Sequence, residues 1–282
     1  MIRVLNDGRV ELLDSSTNPM RSIYRAARIC RGESPFGGTR KPIKDGDVER
    51  LVAQCLELEH NTPIEKAYFE FAVRCPIFVA RQWMRHRMSS YNELSLRYNK
   101  AERAFYVPNM SPEVWEAYSA YRFPVSEKQD ILSDHRILKA VMEADIQNYG
   151  DSSMLTTILS YEHQYNDYIA MVKNGVPKER ARGVLGTGFY TEFIWGVNAW
   201  SLFHWMKQRL SFHAQNEHYL YANTVLDILA EKFPTLTKLF LSAIEKECRK
   251  EPVTTSRTET PELATDDEIR STGLFKGIWG DK

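Results

Sequence analysis

Fourteen consecutive residues, Arg85-His86-Arg87-Met88-Ser89-Ser90-Tyr91-Asn92-Glu93-Leu94-Ser95-Leu96-Arg97-Tyr98, concentrate the chemistry of this chain. Guanidinium forks at close spacing hold phosphates bidentately. The interleaved Glu93, Asn92 and serines can read the polar edges of whatever carries the phosphate. Arg85 and Arg87 stand one residue apart and cannot share a helix face, so in a turning segment they grip different groups. Glu93, Ser95 and Arg97 alternate with Leu94 and Leu96, so an extended backbone points all three one way. Gln82 lies one helical turn earlier and joins the segment. A nucleophilic role for Ser95 needs an adjacent, oriented base, and no Gly-x-Ser-x-Gly elbow is present; hydrogen bonding to phosphate or substrate is the better use. An isolated Arg-His-Arg triplet is usually a solvated face. The longer pattern, Arg-His-Arg, seven residues, then Ser flanked by Glu two before and Arg two after, is far more specific.

The elements that must position these residues are legible around them. Val10-Glu11-Leu12-Leu13 reads as a strand, and Asn18-Pro19 opens a helix that Gly32 closes. Residues 33–46 read as a loop. Val48, Leu51, Val52, Cys55 and Leu56 fit an amphipathic helix ending near His60. Thr62-Pro63-Ile64-Glu65 reads as a capping box with Pro at the first helical position. Phe69, Phe71, Val73 and Cys75 alternate with polar or small residues as a half-buried strand. Pro76 ends it and starts a buried helix, to Met84, that delivers the Arg-rich segment. The second half reads as helices over 128–148, 154–174, Val176–Leu185, Trp195–Arg209 and His213–Lys232, with Trp83, Met84, Trp195, Trp205 and Met206 in the core. From Glu251 the chain is polar and reads as a tail. The fold expected is α+β: one domain over residues 1–250, with a mixed or antiparallel sheet in the N-terminal half and a helical C-terminal half, then the tail 251–282.

Composition removes several functions. Lysine plus arginine equals aspartate plus glutamate at 37 each, so the basic excess of a general nucleic-acid or anionic-membrane binder is missing. Four scattered cysteines form no Cys-x-x-Cys and read as reduced thiols. No apolar run approaches the ~20 residues of a membrane span, and the N-terminus carries no signal-like apolar region. A cytoplasmic location is expected. His163 with Asp167, or His213 with Glu217, have helical spacing for a metal but no third ligand, and His213-Ala214-Gln215-Asn216-Glu217-His218 is one residue too long for an inverted zincin motif; no metal site is expected. A further cluster runs from Glu179-Arg180-Ala181-Arg182 through Asn198, Ser201, Trp205 and Arg209, the last four close to one polar stripe at helical spacing.

The Arg-rich pattern resembles the signature of the flavin-dependent thymidylate synthases, and the resemblance covers roughly residues 8–240. It implies methylation of dUMP at C5 to give dTMP. The carbon comes from 5,10-methylenetetrahydrofolate and the hydride from NADPH through FAD. It further implies FAD contacts by Arg85, His86, Arg87, Glu93, Asn198 and His204, and by His60 and Thr62 of a His-x-Thr-Pro-x-Glu element whose local reading is only a helix cap beside an exposed histidine. Trp200 stands where the family commonly has Arg, which would replace a guanidinium–adenine stack with an indole stack. Substrate contacts are implied for Gln82, Glu93, Leu94, Ser95, Leu96, Arg97, Arg182 and Arg209, with Arg209 against the uracil ring promoting ionisation at N3. Such charge stabilisation is electrostatic and needs no cysteine nucleophile. The family also implies a homotetramer whose active sites draw on several subunits. Departures are Trp200, Cys30 for a usual Ser, and Leu185-Gly186 for a common Leu-Pro. Two other readings stay open: a single-strand nucleic-acid binder stacking bases on Tyr91 and Tyr98 among Arg85, Arg87 and Arg97, and an inactive scaffold.

Overall fold

Strict alternation of side chains builds the centre of the molecule. The computed structural model describes residues 1–30, 32–34, 36, 45–108, 110, 112, 153–211 and 214–248. In chain order it forms β1 (Ile2–Val4), β2 (Gly8–Ser15), α1 (Pro19–Ile29), α2 (Asp45–Glu57), α3 (Asn61–Ile64), β3 (Tyr68–Pro76), α4 (Ile77–Trp83) and β4 (Ser89–Glu93). Then come α5 (Ser153–Lys173), α6 (Lys178–Ala181) with a 3-10 turn at Arg182–Val184, β5 (Tyr190–Asn198), α7 (Ala199–Arg209), α8 (Asn216–Lys232) and α9 (Pro234–Cys248). The strands make one antiparallel sheet in the order β1-β2-β3-β5-β4. Phe69, Phe71 and Val73 of β3, and Phe193, Trp195 and Val197 of β5, bury one face of it. Residues of α1, α2, α3, α4, α7 and α8 complete the same core. This is the α+β fold that the patterning predicts.

An aromatic stack ties α4 to the sheet and to α7. The Trp83 ring lies 4.7 Å from Trp205 at 27°, and 5.1 Å from Trp195 at 81°. All three rings are fully buried, so α4 has one way to sit and its C-terminal end is fixed in space. On the polar face of β3, Arg74 receives Asp7 at 2.6 Å, Glu192 at 2.6 Å and Glu102 at 3.0 Å. Burial opposes that charge, but the carboxylates outweigh it and hold the guanidinium above its ordinary pKa. Gly8 is required by close approach: a Cβ there would lie 1.9 Å from the Tyr221 hydroxyl and 2.6 Å from the Val4 carbonyl oxygen.

Three local expectations are corrected. Asn18 does cap α1, accepting from Arg21 N–H at 2.9 Å, but the capping box at Thr62 does not form. The N-cap is His60, without a side-chain bond, and Thr62 lies inside α3; the Glu65 N–H that a Thr62 cap would take donates instead to the Asn61 carbonyl at 3.1 Å. The helix expected from Trp195 starts at Ala199, because Tyr190–Asn198 is β5, a strand buried between β3 and β4. Its large apolar side chains fit both periods, and pairing with two neighbours decides. The extended run through Arg97 stops at Glu93: Ser95 turns the chain, its carbonyl accepting from Tyr98 and Asn99 N–H. The chain divides into two units, residues 1–244 and 245–282. The helix expected over 128–148 and the tail 251–282 lie outside the described residues.

Candidate active site

The end of α4, the turn after it and the end of α7 converge. The Tyr91 hydroxyl bridges the carbonyl oxygens of Trp83 and His86 at 3.1 and 2.9 Å, and His86 N–H donates to Trp83 at 3.1 Å. The turn carrying Arg85, His86 and Arg87 is thereby locked to the aromatic core. Arg209, at the last position of α7, aims at it and donates Nε–H and Nη2–H to His86 Nε2 at 3.2 and 3.0 Å. That nitrogen must therefore offer its lone pair, so the proton of the neutral ring is on Nδ1. Burial, the Arg209 charge and then His204 push His86 down to about 4, consistent with a neutral acceptor. Burial likewise lowers Arg209. Among the described residues no carboxylate lies within ion-pair distance of Arg209, so a half-buried cation faces the site unneutralised. His204 is exposed, its ring 6.5 Å from His86, and its Nε2 is 2.9 Å from Gln208 Nε2.

Gln82 joins this group from α4. Its amide nitrogen donates to Gln215 Oε1, and its Oε1 lies 3.5 Å from His218 Nδ1. His218 is fully buried and stacks on Trp83 at 5.2 Å and 26°. Burial, then Arg209 and His86, push it down to about 3.

The remaining site candidates distribute around the cluster. Glu93 accepts from the Thr191 hydroxyl at 2.7 Å across β4 and β5. Ser95 Oγ accepts from Arg97 N–H at 3.3 Å. Arg97 is exposed, lies over the Tyr98 ring and donates to Glu179 of α6 at 3.4 Å; Arg182, also exposed, follows α6. The Arg97 and Arg182 segments are thus adjacent, while Leu94 and Leu96 flank Ser95 on the same turn. Arg85 and Arg87 are exposed. Asn198 caps α7, accepting from Ser201 N–H at 2.8 Å. Trp200, half-buried, leans on Phe203 at 5.6 Å. His60 and Thr62 are exposed on α3, which packs against α7. A cavity of about 570 Å³ opens among Asp14–Ser16, Tyr68–Glu70, Met88–Ser90 and Gly196–Asn198. It falls in the size range of cofactor pockets, and Asn61 Oδ1 on α3 is buried with no partner among the described residues. Asn198, one of the expected flavin contacts, lines this cavity. Sequence reading gave neither Thr191 nor His218 a role in the site; the one signal for His218 was its place on a helix with buried Tyr221, Ala222 and Val225 at helical spacing.

The chain matches the family described as "Thymidylate synthase complementing protein" over residues 11–235. Three curated relatives are named flavin-dependent thymidylate synthase. That of Thermotoga neapolitana is 35% identical over 85% of this chain and 94% of its own. That of Thermosipho africanus is 33% identical over 85% and 93%, and that of Thermus thermophilus 34% identical over 83% and 75%. This chain belongs to the flavin-dependent thymidylate synthase family. The crystal structure of a UMP/dUMP methylase, PolB, from Streptomyces cacaoi bound with 5-Br dUMP shares the fold at a TM-score of 0.64, with 24% identity over 86% of this chain and 97% of that one. In the flavin-dependent thymidylate synthase frame, the convergence of Gln82, His86 and Arg209 joins the Arg-rich motif to the downstream stripe. The two are more than a hundred residues apart in sequence. No helix among the described residues is long and apolar enough to cross a membrane.

Proposed function

We propose that this chain methylates dUMP at C5 to give dTMP, with 5,10-methylenetetrahydrofolate as carbon donor and NADPH as reductant. FAD, when bound, supplies the hydride relay. The observation that carries the reading is the Arg209 guanidinium, half-buried, without a carboxylate partner among the described residues, and held by a neutral imidazole. A cation kept in that state is ready for negative charge developing on a pyrimidine. His86 keeps the fork oriented. Gln82 offers donor and acceptor to the base, and Arg97 and Arg182, with Glu93, Leu94, Ser95 and Leu96, form the nucleotide's phosphate and sugar side. Arg85, Arg87, His60, Thr62, Asn198, Trp200 and His204 would hold the flavin. Residues 1–250 form the catalytic domain, working in the cytoplasm as a homotetramer; the family match and the reduced-thiol composition support this.

The test is the visible spectrum of the purified protein with added FAD, then with dUMP. Oxidised-flavin bands perturbed by dUMP are expected. Arg209→Ala should retain the bands and lose dTMP formation by about 10²–10³-fold, the size of removing one preorganised charge-stabilising donor. A colourless protein that cannot be loaded with FAD refutes the reading.

A further inference from the structure

Buried beneath the Arg209 and His86 pair, His218 belongs to no part of the mechanism above. Its ring stacks on Trp83 at 5.2 Å and tilts against Trp205 at 5.7 Å, and the residue has no solvent exposure. Its Nε2 is buried without a hydrogen-bond partner among the described residues. Core packing alone gives no reason for an imidazole here, since an apolar ring or branched chain would fill the same space without an unpaired polar atom. What the imidazole adds is its other nitrogen, which faces Gln82 Oε1 at 3.5 Å. An amide oxygen only accepts, so Nδ1 carries the proton and Nε2 is left as a bare lone pair. That distance is long for a hydrogen bond, as such contacts commonly are before a ligand tightens the site.

Gln82 is thereby held at both ends of its carboxamide. The nitrogen donates to Gln215 and the oxygen faces His218. One N–H and one oxygen lone pair remain for a ligand. The order in which they are presented matters. A carboxamide in one orientation matches the donor-and-acceptor edge of a uracil imide; rotated by half a turn about its last bond, it matches the reversed edge of cytosine. We propose that His218 is a positioning residue: it fixes the orientation of the Gln82 carboxamide and so makes the site prefer a uracil over a cytosine base. The buried ring stays neutral, which keeps that tautomer in place. The inference rests on the reading above that Gln82 contacts the pyrimidine.

The test is calorimetric titration of the FAD-loaded protein with dUMP and with dCMP, in wild type, His218→Leu, His218→Asn, Gln82→Leu and the double variant Gln82→Leu/His218→Leu. His218→Leu removes the donor at similar volume, whereas Asn returns an N–H near the Nδ1 position. The preference for dUMP over dCMP is expected to fall about 3- to 10-fold in His218→Leu, the worth of one net hydrogen bond. It should be retained in His218→Asn and fall no further when His218→Leu is added to Gln82→Leu. A residue that merely supports the fold would weaken both nucleotides together and leave their ratio unmoved. An unchanged ratio in His218→Leu while Gln82→Leu changes it, or equal losses in the Leu and Asn variants, overturns the role of His218 and leaves that of Gln82 standing. If Gln82→Leu alters binding of neither nucleotide, the reading of Gln82 itself is wrong, and the role of His218 falls with it.

Discussion

The buried imidazole of His218 makes acid sensitivity of this protein calculable. In the folded chain, burial and then the charges of Arg209 and His86 push it down to about 3; once unfolded it titrates near 6.5. Between those values the unfolded chain binds a proton that the folded chain refuses. The stability that the neutral ring preserves is therefore complete above about pH 6.5 and falls as pH drops toward about 3. At about 1.4 kcal/mol per pH unit, the loss between about pH 7.5 and about pH 5 is about 2 kcal/mol. His86, pushed down to about 4, acts with the same sign, but it is partly solvated and screened, so its share is left to subtraction. Urea unfolding of wild type and His218→Leu at both pH values, at one fixed protomer concentration, gives the comparison. Leu is close in volume and removes an unpaired polar atom, so the two proteins should be similar near pH 7.5. Wild type should then lose about 2 kcal/mol more than the variant on acidification. Parallel losses in the two proteins would refute the assignment of a buried, neutral His218.

Other consequences follow from the same geometry. His86→Phe deletes the acceptor for two Arg209 N–H groups while sparing the ring volume. Steady-state dTMP formation should fall by about 10- to 100-fold, the range for losing a hydrogen bond to a charged group, and an unchanged kcat would show that His86 does not hold Arg209. Arg74→Met leaves Asp7, itself mostly buried, facing only the exposed Arg9 guanidinium at 3.5 Å among the described residues; chemical denaturation should show a loss of about 3 kcal/mol. Gly8→Val drives a side chain into the Val4 carbonyl and the Tyr221 hydroxyl, which itself donates to Arg74 O at 2.8 Å. Because backbone must move, a loss of at least 1–3 kcal/mol is expected from overpacking, read as a lowered melting temperature, and a neutral outcome would mean that β1 and β2 separate freely.

What the sequence disclosed, and what it hid, divides along local and non-local physics. The Asn18-Pro19 start of α1 and the alternation of β3 depend on neighbours a few residues away, and both were readable. β5 was not. Ile194, Trp195 and Val197 fit a helical face as well as a strand, and only pairing with β3 on one side and β4 on the other settles the backbone. The candidate site shows the same division. The Arg-rich segment announced itself because one short turn holds it all, and its likeness to a known family extended it. Yet the property that gives Arg209 its use, a cation with a neutral imidazole beside it and no carboxylate partner among the described residues, exists only because α7 ends where α4 ends. The stack of Trp83, Trp195 and Trp205 enforces that meeting. Those three tryptophans read, correctly, as core. What the sequence could not say is that this core sets the aim of the guanidinium and encloses His218 under it. Reducing Trp83 to Leu would therefore lower activity beyond what its stability cost explains, because Gln82 and the His86 turn are fastened to that residue on both sides.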